Sequence, residues 1–199
     1  MTRWIMGEFA SMLANTSAED DARLRERGIT SAMGLDVGGV AHAHIRTYED
    51  GTFVPSDETA GHAKAVIVPA WAGPAPSPRR RLSVMPPMID LVAFYLDDPK
   101  RMWRRTGSAA LLGEHAATTA ELINEPLALY RDPCEWIRQG GDHRGAVVLS
   151  WPDASFQLRG LGVLVAESIA HGTEIERRLR EPIRRLPKVR VLVAEERAA

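Results

Sequence analysis

The chain has 199 residues, 45% of them hydrophobic and 26% charged, with a formal net charge of −1. That length fits one domain or two small ones, the composition argues against disorder, and the near-neutral charge means that any polyanion must be met by a local patch. The single cysteine, Cys134, excludes an internal disulfide and a structural Cys-based zinc site. No apolar run approaches the roughly 20 residues that span a bilayer. Glu8 also interrupts the N-terminal apolar stretch, so a signal peptide is not expected. The expectation is a cytoplasmic protein with no membrane contact.

Trp4 to Ala14 reads as an amphipathic helix, because Ile5, Phe9, Met12 and Leu13 fall at i, i+4, i+7 and i+8. Ser17 is the N-cap of a second helix with an acidic first turn, and Gly28 is its terminating glycine. Ala41 to Tyr48 alternates as a strand does. Glu49-Asp50-Gly51 then turns the chain, and Thr52 to Val54 pairs back as a hairpin. Ala65 to Val68 is another short strand. Trp71 to Pro78, rich in proline and glycine and followed by Arg79 to Arg81, reads as a surface loop and the boundary between regions 1–85 and 86–199.

Ile89 to Leu96 is a strong strand, Asp97 to Lys100 a turn, and Arg101 to Arg105 its antiparallel partner. A helix follows from Glu114 to Asn124, ended by Pro126, then a strand from Leu127 to Tyr130. Asp132 caps the next helix, with Pro133 in its first turn and Gly140-Gly141 closing it. From Ala146 onward three apolar runs, Ala146 to Trp151, Gly162 to Ala166 and Val189 to Ala194, alternate with a crossover and a basic helix. That is the pattern of a mostly parallel α/β layer. The fold class is therefore α/β or α+β, with N-terminal helices and a hairpin ahead of the layer.

Of six histidines, His42 and His44 at i, i+2 could offer two imidazoles to a metal. With no third ligand at suitable spacing, the expectation is polar residues on the solvent face of a strand. Glu114-His115 and Glu167 with His171 are carboxylate–histidine pairs. Glu167 ends a strand, so helical spacing is not expected to apply to the second pair. Ser150, Ser168 and Cys134 lie in no nucleophile elbow, and Cys134 reads as a buried structural cysteine. The paired glycines form neither a Walker loop nor a dinucleotide fingerprint.

Basic clusters are the stronger signal. Arg177, Arg178, Arg180, Arg184, Arg185, Lys188 and Arg190 are opposed within their span only by Glu181. Such a patch can engage phosphates. Lys100, Arg101, Arg104 and Arg105 surround Trp103, a candidate stacking partner for a base. The alternative for the first cluster is a solvated helix face paired with Glu174 and Glu176.

Two stretches carry a family resemblance. Leu24-Arg-Glu-Arg-Gly-Ile29 is similar to an element near the N-terminus of phage and plasmid primase-type proteins. Gly162-Val-Leu-Val-Ala-Glu167, followed by Ile169 to Ile175, resembles the first strand and helix of their Toprim domain. The segment from Asp90 to Gly113 also looks like a region of alphaproteobacterial prophage proteins. The resemblance implies a Toprim-like C-terminal layer in which Glu167 aids catalysis beside a magnesium-binding Asp-x-Asp pair. Here Ser168 replaces the glycine after that glutamate, and no Asp-x-Asp follows. A lone carboxylate holds magnesium poorly.

The resulting expectation is a shortened, non-catalytic mobile-element protein without a cofactor. Its partners would be nucleic acid or a replication complex, met through the basic patch. One alternative is a protein-binding inhibitor of a host defence or replication complex, docking an acidic or nucleic-acid-binding partner. A second is a magnesium-dependent primase- or nuclease-type enzyme built on Glu167.

Overall fold

The computed structural model describes residues 3–57, 63–73, 86–141 and 145–181. Helix α1 (Arg3–Ala14) buries Ile5, Phe9 and Met12, the stripe expected from their spacing, while Leu13 stays 39% exposed at its margin. Helix α2 (Ala18–Glu26) opens with a complete capping box. Ser17 Oγ accepts the Asp20 N–H at 3.2 Å, and Asp20 Oδ2 accepts the Ser17 N–H at 2.9 Å. Gly28 follows it at φ +75°, the left-handed turn that glycine takes without strain. A third helix, α3 (Ser31–Asp36), is capped by Thr30. At six residues it is too short to write an apolar period into the sequence.

The segment expected as one strand from Ala41 to Tyr48 divides in two. Strand β1 (Ala41–Ala43) pairs with β4 (Ala65–Trp71), whereas β2 (Ile45–Thr47) forms the expected hairpin with β3 (Phe53–Pro55). With β5 (Met88–Tyr95) and β6 (Asp98–Arg104), an antiparallel sheet runs in the order β1-β4-β5-β6. Every residue of β4 is buried, as befits an interior strand covered on both faces. The division expected near residue 85 falls between β4 and β5, which pair with each other. One hydrophobic core also joins Leu24, Val37, Val66 and Val68 to Phe94, Trp136, Ile137 and Val147.

The second sheet contains β7 (Leu111–Leu112), β8 (Leu127–Tyr130), β9 (Gly145–Val148) and β10 (Leu164–Ala166), in the order β10-β8-β9-β7. Strands β10, β8 and β9 are mutually parallel, and β7 is antiparallel at the edge. Helix α4 (Glu114–Ile123) precedes β8, α5 (Pro133–Arg138) links β8 to β9, α6 (Trp151–Arg159) links β9 to β10, and α7 (Ile169–Arg180) follows β10. The class is α+β, with a parallel core to this sheet as the apolar runs imply. The run expected as a strand to Trp151 stops at Val148. Pro152 sits in the first turn of α6, where its missing N–H costs nothing. The strand expected at Val189 to Ala194 lies outside the described residues, as do Arg79 to Arg81. Among the described residues no helix is long and apolar enough to cross a membrane.

Candidate functional site

Three parallel strands present their carboxyl ends at one edge, the place where open α/β sheets bind ligands. Tyr130 ends β8, Val148 ends β9, and Glu167 follows β10. Ser168 is extended and N-caps α7, its Oγ accepting the His171 N–H at 3.2 Å. That cap turns Glu167 back over the first helical turn, and Glu167 Oε2 lies 3.5 Å from His171 Nδ1. The two therefore meet although Glu167 lies outside α7, through the cap rather than through helical i,i+4 spacing. The same carboxylate oxygen accepts the Arg131 main-chain N–H at 3.1 Å, tying the end of β10 to the end of β8. The Arg131 guanidinium in turn stands 3.5 Å from Glu174 Oε2.

His171 is buried, and among the described residues its Nδ1 makes no hydrogen bond; nor does Arg131 Nε. Burial holds the His171 imidazole below its ordinary pKa, opposed by Glu167 and reinforced by Arg131. A cavity of about 230 Å³ opens beside these groups, lined also by Lys100, Met102, Tyr130, Val148, Trp151 and Glu174. Among the described residues, no three His, Cys, Asp or Glu side chains gather closely enough to hold a metal ion. The Toprim resemblance sets Glu167 beside a magnesium-binding Asp-x-Asp pair, and among the described residues Glu167 belongs to no such group of three ligands. Glu167 has the observed role of a clamp between strand ends.

The basic clusters divide. Trp103 is only 6% exposed, meets Tyr95 edge to face at 5.7 Å, and has the Arg101 guanidinium 5.1 Å from its ring centroid. It is a core residue and offers no free face to a base, which corrects the stacking expectation. Arg104 Nη1 donates to the carbonyls of Gly107 and Ala109 at 3.0 and 2.9 Å. Arg105 pairs with Glu8 at 3.1 Å and sits 4.9 Å from the Trp4 ring centroid. Both arginines thus serve the fold.

On α7 the arginines remain at the surface. Arg177 and Arg178 reach Glu181 at 2.6 and 3.6 Å, and Arg180 reaches Glu176 at 3.2 Å. Arg159, which the sequence reading did not single out, donates to the carbonyls of Leu179 and Glu181 and so caps the C-terminus of α7 from α6. Arg184, Arg185, Lys188 and Arg190 lie outside the described residues.

His42 is 3% exposed rather than solvent-facing, and among the described residues neither ring nitrogen has a hydrogen-bond partner. Burial holds it below its ordinary pKa of 6.5; Asp20 opposes that shift and Lys64 adds to it. Burial alone would raise the Asp20 carboxyl, but Lys64 at 2.7 Å and the Ser17 donors outweigh it and hold the pKa at about 2. Cys134 is buried as expected, and burial, helped by Asp132, pushes its thiol up to about 11.

In the unfolded chain His42 and His171 titrate near their ordinary pKa of about 6.5. As pH falls below that value, the unfolded state takes up protons that the folded state refuses, so stability is lost on the acid side. Asp20 stays ionised over that range and does not contribute. The melting temperature is expected to drop between about pH 7.5 and about pH 5.5, and to drop less in His42→Gln. An identical drop in parent and variant would show that His42 is not the source.

Comparison of the chain with protein-family models, with curated proteins and with solved structures returned no match.

Proposed function

We propose that the protein is a non-catalytic binding protein for nucleic acid, of the accessory kind that the primase-type resemblance implies. Its contact surface is the C-terminal end of α7 and the basic sequence that follows. One observation carries this reading: the Arg177 and Arg180 side chains are 58% and 80% exposed and, among the described residues, held only by i,i+4 pairs with glutamates. Such pairs are worth about 0.3–0.5 kcal/mol, so exchanging a glutamate for a phosphate costs little. Beyond them the sequence adds Arg184, Arg185, Lys188 and Arg190 with no further acidic residue in that stretch.

The test is fluorescence anisotropy with labelled single- and double-stranded DNA and RNA from about 50 to about 200 mM salt. Affinity is expected to fall steeply with salt. For duplex DNA, the joint change of Arg177, Arg178, Arg184 and Arg185 to Ala should flatten the log–log slope by about 3 to 4, near one per lost phosphate contact. Binding that ignores both salt and the four substitutions overturns the proposal. A protein partner is the second reading, favoured by Glu174, Glu176 and Glu181 interleaved with the arginines, since a mixed-charge face suits protein docking. Stoichiometric capture of one protein after nuclease treatment, with no affinity for free nucleic acid, would establish it instead.

A further inference from the structure

We infer that the cleft at the carboxyl edge of β8, β9 and β10 binds a small organic phosphate, held by Lys100, Arg131 and His171, with its organic part along Trp151. The open hydrogen-bonding positions decide the chemistry. His171 is 6% exposed, lines the cavity from the first turn of α7, and has an Nδ1 without a hydrogen-bond partner among the described residues. Glu167 Oε2 stands 3.5 Å from that nitrogen without making a hydrogen bond to it. Arg131 Nε–H, a group that can only donate, has no acceptor among the described residues. Lys100 lines the same cavity and makes no ion pair among the described residues.

Two of these three groups can only donate, and a neutral imidazole can donate from one of its nitrogens. The occupant they fit therefore brings acceptor oxygens rather than positive charge. The carboxylates of the cleft are already engaged, Glu167 by the Arg131 main-chain N–H and Glu174 by its guanidinium. The Lys100 charge is thus left without a counter-ion among the described residues. Donors from β6, from the end of β8 and from the first turn of α7 approach from separate elements, which suits a tetrahedral phosphate better than a planar carboxylate. Met102, Tyr130, Val148 and Trp151 complete the wall, giving a ligand's organic part apolar surface to cover.

The inference stands apart from the nucleic-acid reading. Arg177 and Arg180 lie six and nine residues beyond His171, roughly 9 and 13 Å along the helix.

The test is calorimetric titration of the full chain with adenosine monophosphate, adenosine and inorganic phosphate. Adenosine monophosphate is expected to bind at least about tenfold tighter than either fragment. Lys100→Ala and His171→Gln should each weaken it about tenfold, whereas Arg177→Ala with Arg180→Ala should leave it unchanged. Lys100 is exposed, so its variant keeps the test decisive even if the His171 change disturbs folding. Any of three results overturns the inference: no binding of adenosine monophosphate at millimolar concentration, equal affinity for either fragment, or a Lys100→Ala protein that binds like the parent.

Discussion

Asp90→Asn is expected to lower the unfolding free energy by roughly 3 kcal/mol, although it changes neither the size nor the shape of the side chain. Asp90 is fully buried, and its carboxylate takes four main-chain donors. Oδ1 accepts the N–H groups of Leu91 and Thr106 at 2.9 and 2.8 Å, and Oδ2 accepts those of Ser108 and Ala109 at 2.7 and 3.1 Å. An asparagine keeps one acceptor oxygen and turns an NH₂ toward two N–H groups, which then lose Asp90 as acceptor; of the four donors, Ser108 N–H also reaches Thr106 Oγ1 at 3.3 Å. Buried donors left in that state lose their hydration without compensation.

The loop affected runs from β6 into β7. Its N–H groups rest on Asp90, while its Gly107 and Ala109 carbonyls rest on Arg104. The two side chains hold it from both directions, so Asp90→Ala should cost at least as much. Urea denaturation of both variants checks this. A loss below about 1 kcal/mol for Asp90→Asn would mean that water or a shifted loop satisfies the donors.

Asp90 also shows what the sequence could and could not convey. In Ile89 to Leu96 it reads as one polar interruption of an apolar run, and three of its four partners lie sixteen to nineteen positions away in a segment without periodicity. Long periodic elements such as α1 and β5 were legible because each repeats its apolar spacing several times. The Ser17 and Asp132 caps were legible because capping is local chemistry. Helix α3 and strand β7 are too short to repeat any pattern.

Among candidate site residues, Glu167 was placed correctly at a strand end. Its meeting with His171 depends on the Ser168 cap, and its bond to Arg131 depends on β10 lying beside β8. Trp103 misled for a related reason. An aromatic among arginines resembles a nucleic-acid contact, but on β6 the ring turns into the core while the Arg104 and Arg105 side chains are drawn to loop carbonyls and to α1.

Gly145→Ala is expected to cost about 2–3 kcal/mol and to weaken adenosine monophosphate binding under conditions where the variant remains folded. Gly145 pairs with Ala128 in the parallel ladder, and a Cβ there would stand 2.4 Å from the Ala128 carbonyl oxygen and 2.8 Å from the Tyr130 ring. The Tyr130 ring could rotate away, but the carbonyl belongs to the backbone of β8 and can yield only if β8 and β9 part.

Movement to the other side is also blocked. Gly113 is so close that a Cβ on it would lie 2.3 Å from the Gly145 oxygen, the atom that accepts the Trp136 indole N–H at 2.9 Å. Gly145 is not in the left-handed region, so the substitution reads the close approach alone. Gly113→Ala should cost more, because its φ of +82° adds left-handed strain. Parting β8 from β9 shifts Tyr130 and Arg131, which ties loss of stability to loss of the phosphate cleft. Urea denaturation and calorimetry on Gly145→Ala measure the two together. Stability lost with affinity intact would mean that the cleft holds its shape without the tight β8–β9 seam, and parental values of both would mean that the seam accommodates a methyl group.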